Sequence, residues 1–275
     1  MPTPAYNPFL TLPPLLGREV LQVPMTNDGG VWKFDVDRVQ EAFDEGGALL
    51  VLCNPNNPLG RVFSRAELVA LSEVVARNGG RVFADEVWSP LTFEGTTALS
   101  YATLDEQTAR HTITSVSASK AFNLPGLKCA QILVSCEADR ALLQERAKWL
   151  TLGASNLGMI ANTVAFREGQ EWLDKALVYL QRNRDELADL VAEHLPGVTF
   201  SVPEGTYIAW LDFTGIGIEA PGDFFAPERA WPSPTAAIVA MPAPAARGSS
   251  LRRRARSCAR SSSTWAPPFG RDSLP

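Results

Sequence analysis

Three features of this 275-residue chain indicate an α/β protein with a mostly parallel sheet. Short apolar or β-branched runs recur at 48–53 (ALLVLC), 81–84 (RVFA), 112–116 (TITSV) and 130–134 (AQILV), each of a length suited to a buried strand. Helical or loop material separates them, as the crossovers between parallel strands require. Further on, long helical stretches give way to two strand-like runs around Pro203-Glu204-Gly205-Thr206, so a smaller α+β unit is expected to begin there.

Taken in chain order, Asp35 is placed to cap a short helix in which Val36, Val39 and Phe43 share one face. Gly46-Gly47 ends that helix before the first buried strand. Ser64 and Glu67 then form an S-x-x-E capping box, and Leu68, Leu71 and Val75 continue an apolar stripe until Gly79-Gly80 stops it. Residues 138–150, 155–168 and 171–195 read as helices, the last long enough to bridge two domains. VTFSV (198–202) and YIAWLDF (207–213) read as strands of a second unit that stays incomplete. The expected organisation is a large domain at 1–180, a linking helix and the start of a small domain at 181–225, and a tail at 226–275.

With 45% hydrophobic and 20% charged residues the chain can bury a sizeable core. Its longest apolar runs are too short for a membrane span, and Met1-Pro2-Thr3-Pro4 lacks the basic flank and apolar segment of an export signal. No membrane partner is expected, and the cytoplasm is the default location. Cys53, Cys129, Cys136 and Cys258 show no CxxC spacing, which argues against a disulfide framework and a zinc site. His111 and His194 are the only histidines, so zinc hydrolysis and histidine-based triads lack support, and both read as structural or surface residues.

The net charge of −5 is unevenly distributed. Residues 226–275 carry +6, with eight arginines and no lysine, leaving −11 for residues 1–225. The tail is rich in Ala, Pro, Ser and Arg and lacks helical or strand periodicity after about Phe225. Clustered arginines can bind phosphates by releasing counterions. The more economical reading is a disordered segment or an out-of-frame read of GC-rich DNA, and no nucleic-acid partner is expected.

Ligands of open α/β sheets bind beyond the carboxyl ends of the strands. There the chain places Asn54-Pro55-Asn56-Asn57-Pro58-Leu59-Gly60 after 48–53, Asp85-Glu86 after 81–84, and Ser117-Ala118-Ser119-Lys120 after 112–116. Singly, each has an ordinary reading. The first is a run of turn formers, and the second resembles the acid of a nucleotide-hydrolysis motif whose GxxxxGK[ST] partner is missing. A lysine at a helix start is usually solvated, although its charge there opposes the helix dipole, which draws attention to a neutral or bonded amine. Together they fit one cofactor, pyridoxal 5′-phosphate. That group needs an amine for a Schiff base, an acid at its ring nitrogen, a donor at its phenolic oxygen, an aromatic over its face, and hydroxyls and cations at its phosphate.

The ordered motifs NPNNPLGRVFSRAEL, ADEVW and SVSASKAFNLPGLK resemble the fold-type I pyridoxal-phosphate enzymes of aminotransferase class I/II, and within them the cystathionine β-lyase (cysteine-S-conjugate β-lyase) branch. GTYIAWLDF, 205–213, is similar to the strand pair that opens the small domain of these lyases. The resemblance runs from about Pro4 to about Phe225. It implies a three-layer aminotransferase-like large domain, a homodimer, and a small amino-acid substrate. It also implies that Lys120 is the Schiff-base and proton-transfer lysine, that Asp85 meets the ring nitrogen, and that Asn57 meets the phenolic oxygen. Tyr6 would stack on the ring, and Ser117, Ser119 and Lys128 would serve the phosphate.

The same resemblance exposes departures. Relatives begin about a hundred residues earlier, with a glycine-containing phosphate turn. Their small domain supplies an arginine for the substrate carboxylate, and no residue of 226–275 matches it. Three residues beyond Asp85, where relatives often have tyrosine or histidine, this chain has Trp88. The motifs leave three outcomes open: a carbon–sulfur β-lyase, an aminotransferase using the same residues, and an inactive truncated remnant with weak turnover and poor solubility.

Overall fold

The computed structural model describes residues 1–150, 153–218, 221 and 236–240. At the start, β1 (Pro2–Thr3) pairs in parallel with β2 (Val23–Pro24) on either side of helix α1 (Asn7–Leu15). The hairpin of β3 (Thr26–Asp28) and β4 (Val31–Lys33) follows. Helix α2 (Val36–Asp44) opens as expected: the Asp35 carboxylate accepts the Arg38 N–H at 3.1 Å, and Val39 and Phe43 are buried. Strand β5 (Leu49–Cys53) leads to α3 (Arg65–Arg77), whose capping box is complete, with Ser64 and Glu67 each accepting the other's backbone N–H. Leu68, Leu71 and Val75 of α3 are sealed from solvent.

Strand β6 (Arg81–Asp85), α4 (Glu106–His111), β7 (Thr112–Val116), the single turn α5 (Ala118–Ala121) and β8 (Gln131–Val134) complete the large unit's frame. The sheet order is β5-β6-β7-β8; the first three strands run parallel and β8 is antiparallel. Because alternate residues of a strand face opposite sides, Leu50, Leu52, Val82 and Ala84 point together into one core. Val39, Phe43, Leu68, Leu71, Val74 and Val75 cover that core from α2 and α3.

Helices α6 (Glu137–Leu150), α7 (Asn156–Glu168) and α8 (Gln170–His194) match the expected stretches within two residues. No described helix is long and apolar enough to cross a membrane. Strands β9 (Thr199–Ser201), β10 (Ile208–Asp212) and β11 (Ala236–Ala240) form an antiparallel sheet in the order β11-β10-β9. Leu211, Phe213 and Val191 of α8 form its core. β11 falls inside the tail read as lacking periodicity. The run AAIVA is uniformly apolar, so it shows no alternation, yet it pairs along the whole of β10. The other tail residues, with the disorder or frame-shift expectation for them, lie outside the described residues.

Leu71 has no exposed surface, whereas Val178, on the outer side of α8, is 74% exposed. In urea denaturation Leu71→Ala is expected to cost about 2–5 kcal/mol, and Val178→Ala to stay within about 0.5 kcal/mol. Equal costs would contradict this placement of the core.

Candidate active site

Parallel pairing sets Cys53 opposite Asp85 and Asp85 opposite Ser115, so three strands end at one level. The ladder continues one step further, with Asn54 N–H donating to the Asp85 carbonyl at 3.0 Å and Glu86 N–H to the Ser115 carbonyl at 2.9 Å. The three polar segments therefore leave the sheet along one edge. Burial pushes the Asp85 carboxyl above the usual carboxylate range, while the Val87 N–H (3.3 Å) and the charge of Lys120 pull the other way. Burial also drives the Cys53 thiol far up, with Asp85 adding to the rise and the Asn57 N–H and Lys120 opposing it. The Asn57 backbone N–H, Asp85 and Lys120 thus all lie near enough to Cys53 to act on its thiol.

The adjacent acid is of a different kind. Glu86 is buried, and one of its oxygens accepts both the Ser100 hydroxyl (3.0 Å) and the Tyr101 N–H (2.9 Å). Burial raises its pKa, and those donors lower it. It secures the following loop, whereas Asp85 accepts only the Val87 N–H among the described residues.

Lys120 rides on α5, which is held from two sides. Ser117 caps the turn by accepting the Ser119 N–H at 3.0 Å, and it donates its own proton to the Cys129 carbonyl at 2.6 Å. From α7, Asn162 is buried and its amide oxygen accepts the Ala118 N–H at 2.8 Å. One helical turn earlier stands Gly158, where a Cβ would lie 2.3 Å from the Leu127 carbonyl oxygen, so only glycine lets α7 approach this loop. The Lys120 amine makes no ion pair or hydrogen bond with a described residue; it lies over the indole of Trp88, 5.3 Å from the ring centroid. Trp88 is in turn met edge-on by Tyr207 at 4.7 Å.

Lys120 is the third residue of α5, at the helix start that the sequence suggests, but with a single turn α5 has little dipole to set against its charge. Ser117, expected to serve a phosphate, donates its hydroxyl proton to the Cys129 carbonyl here and so also supports the turn.

The remaining residues are arranged as follows. Asn57 is half-buried, and its side-chain amide engages no described residue. Tyr6 is 43% exposed and packs edge-on against Phe9 at 5.5 Å; both line a shallow cleft with Ala5, Cys53, Asn56 and Asn57. Ser119 lies beside Lys120 on α5, and its hydroxyl is unengaged among the described residues. Lys128 is exposed on the next turn with left-handed backbone, φ +48°, and no contact among the described residues ties its side chain to the others. Trp88, Tyr207 and Asn162 were not assigned site roles from sequence. For Asn162, the available signal was its i, i+4 spacing from Gly158, which puts a small and a polar residue on one helix face.

The model of the aminotransferase class I and II family matches residues 1–222, and the chain belongs to that family. It is 39% identical over 219 residues to the cystathionine beta-lyase of Corynebacterium glutamicum, covering 80% of this chain and 57% of that protein. Among solved structures it resembles a putative PLP-dependent beta-cystathionase from Corynebacterium diphtheriae (36% identity, TM-score 0.75, 82% of this chain and 59% of that one). It also resembles the PLP-bound C-S lyase of Staphylococcus hominis in its external aldimine form (30% identity, TM-score 0.76, 82% and 56%). The chain thus spans a little over half the length of these relatives.

Two outcomes follow from the site. Because burial raises the Asp85 pKa in the folded state, ionising it weakens the fold as pH rises through and beyond the ordinary carboxylate value. Asp85→Asn should therefore raise the Tm of the cofactor-free protein at pH 7, and the gain should shrink below about pH 4; a lower Tm at pH 7 contradicts the assignment. Asn162→Ala leaves the buried Ala118 N–H without its acceptor and should cost about 1–3 kcal/mol in denaturant unfolding, against a negligible change for the exposed Thr163→Ala.

Proposed function

We propose that the protein is a pyridoxal-phosphate-dependent carbon–sulfur β-lyase that cleaves cystathionine or another S-conjugate of cysteine to a thiol, pyruvate and ammonia. One observation carries the reading: an unpaired lysine amine, a half-buried acid and an unspent amide converge where three parallel strands end. This donor set fits the cofactor's functional groups. Lys120 supplies the amine that holds its aldehyde carbon, Asp85 the acid for its ring nitrogen, and Asn57 the donor for its phenolic oxygen. Tyr6 is proposed to lie over the ring, with Ser119 and Lys128 toward the phosphate and Ser117 supporting the turn between them.

When bound, pyridoxal phosphate supplies an electron sink for the pair left at a substrate's Cα. Once the substrate's amine has taken its place on the aldehyde carbon, the freed Lys120 amine would act as general base, its Nζ taking the Cα proton. The half-buried Asp85, when ionised, would favour a protonated ring nitrogen and so strengthen the sink. With the Cα–H bond broken, the Cβ–S bond breaks and the thiolate leaves. The remaining enamine takes up water and yields pyruvate and ammonia. A homodimer acting on a small amino acid is the proposed working unit, in keeping with the family. The lyase names of the relatives favour elimination over transamination, for which the same residues would serve.

Incubation with cystathionine decides between the two chemistries. Pyruvate and thiol should appear without an added 2-oxo acid, and Lys120→Ala should lower their rate at least about 10²-fold. Strict dependence on a 2-oxo acid would move the assignment to aminotransferase, and full activity in Lys120→Ala would remove Lys120 from the reaction.

A further inference from the structure

The turn Pro203-Glu204-Gly205-Thr206 between β9 and β10 lies against two loops that carry site residues. Its first contact is with the loop after β5. The N–H groups of Glu204 and Gly205 both donate to the Gly60 carbonyl, at 2.9 and 3.1 Å. The Glu204 carboxylate accepts Arg61 Nη1 at 2.6 Å and the Val62 N–H at 2.7 Å through one oxygen. Arg61 is held from other directions too: Nη2 donates to Glu67 at 2.8 Å and Nε to the Trp32 carbonyl at 3.0 Å. The Arg61 side chain is only 13% exposed, while that of Glu204 is 38% exposed, so the pairing is shielded on the arginine side. Gly60 adopts φ +67°, and a Cβ there would fall 2.3 Å from the Pro203 Cβ; turn and loop meet with no space for a side chain.

The clamped residues close a small ring around Asn57. Asn56 N–H donates to the Arg61 carbonyl at 2.7 Å, and Gly60 N–H donates to the Asn56 carbonyl at 2.8 Å. Holding Gly60, Arg61 and Val62 therefore holds the segment from which Asn57 projects. The second contact is with the loop after β6, where Phe93 N–H donates to the Glu204 carbonyl (3.0 Å) and Thr206 N–H to the Leu91 carbonyl (2.7 Å). Tyr207, the next residue, packs on Trp88, over which Lys120 lies.

We propose that Glu204 is a positioning residue for the cofactor site: reaching from the second strand sheet, its carboxylate clamps Arg61 and Val62 and so fixes the loop that presents Asn57. The clamp stands on geometry alone, while its consequence for chemistry rests on the pyridoxal-phosphate reading above.

Hydrogen–deuterium exchange of the cofactor-free chain reads the clamp by itself. Glu204→Ala should raise exchange of a peptide covering 54–62 by about tenfold, with β6 unchanged. Glu204→Gln, whose amide oxygen can still accept the Val62 N–H, should give a smaller rise. The link to the site is read from the visible absorbance of the protein loaded with pyridoxal phosphate. Loss of a donor to the phenolic oxygen should move the pH midpoint of that band upward in Asn57→Ala, by roughly 0.5 to 1 pH unit. Glu204→Ala should move it the same way, and the double variant no further than Asn57→Ala alone. Unchanged exchange at 54–62, or midpoint shifts that add in the double variant, overturns the proposal. An unmoved midpoint in Asn57→Ala contradicts the role given to Asn57 under the proposed function, and raised exchange at 54–62 then still supports the clamp.

Discussion

The in-register parallel pairing of β5, β6 and β7 is the constraint on which the site depends. A shift of one residue in any of these strands would turn its core-facing side chains to the opposite face. Leu50, Leu52, Val82 and Ala84 lie deep in the core beneath α2 and α3, so such a shift would bury polar groups and expose apolar ones. The hydrophobic face therefore fixes more than stability. It ends the three strands at one level and releases Asn54–Asn57, Asp85 and Ser117–Lys120 along one edge, where residues far apart in the chain can act on one ligand.

At that edge the usual rules for buried polar groups are met unequally. Glu86 is satisfied by a hydroxyl and a backbone N–H, while its neighbour Asp85 keeps a carboxylate with little to accept. Lys120 faces an indole where a structural lysine would find a carboxylate. Asn57 is half-buried with an unused amide. Groups left this way cost stability in the cofactor-free fold and are concentrated where chemistry needs them. The surroundings compensate with rigidity: Ser117 and Asn162 tie down the Lys120 turn, and Arg61 and Glu204 tie down the Asn57 loop.

Features governed by neighbours in the chain were readable from sequence. The capping box at Ser64, the Asp35 cap, the stripes of α2 and α3 and the strand runs all arise from contacts a few residues apart, and the three motifs sit at strand ends. Helix α1 escaped notice because Pro13 and Pro14 lie inside it, where each removes an intrahelical N–H donor. β11 was missed because a short, uniformly apolar run has no period. The clamps were out of reach for another reason. Arg61 and Glu204 are 143 residues apart and Ala118 and Asn162 are 44 apart, and no local pattern reports such meetings. The one-turn length of α5 and the hydrogen bond of Ser117 to a carbonyl twelve residues away were likewise out of reach.

The central claim is that Lys120 is the amine on which the site is built. It is tested most directly by mixing the protein with pyridoxal phosphate, reducing with borohydride, and mapping the modified peptide by mass spectrometry. One stable adduct on Lys120 is expected, lost in Lys120→Arg when Lys128 is left intact. An adduct distributed over Lys33, Lys128 and Lys175 with Lys120 unmodified would contradict it.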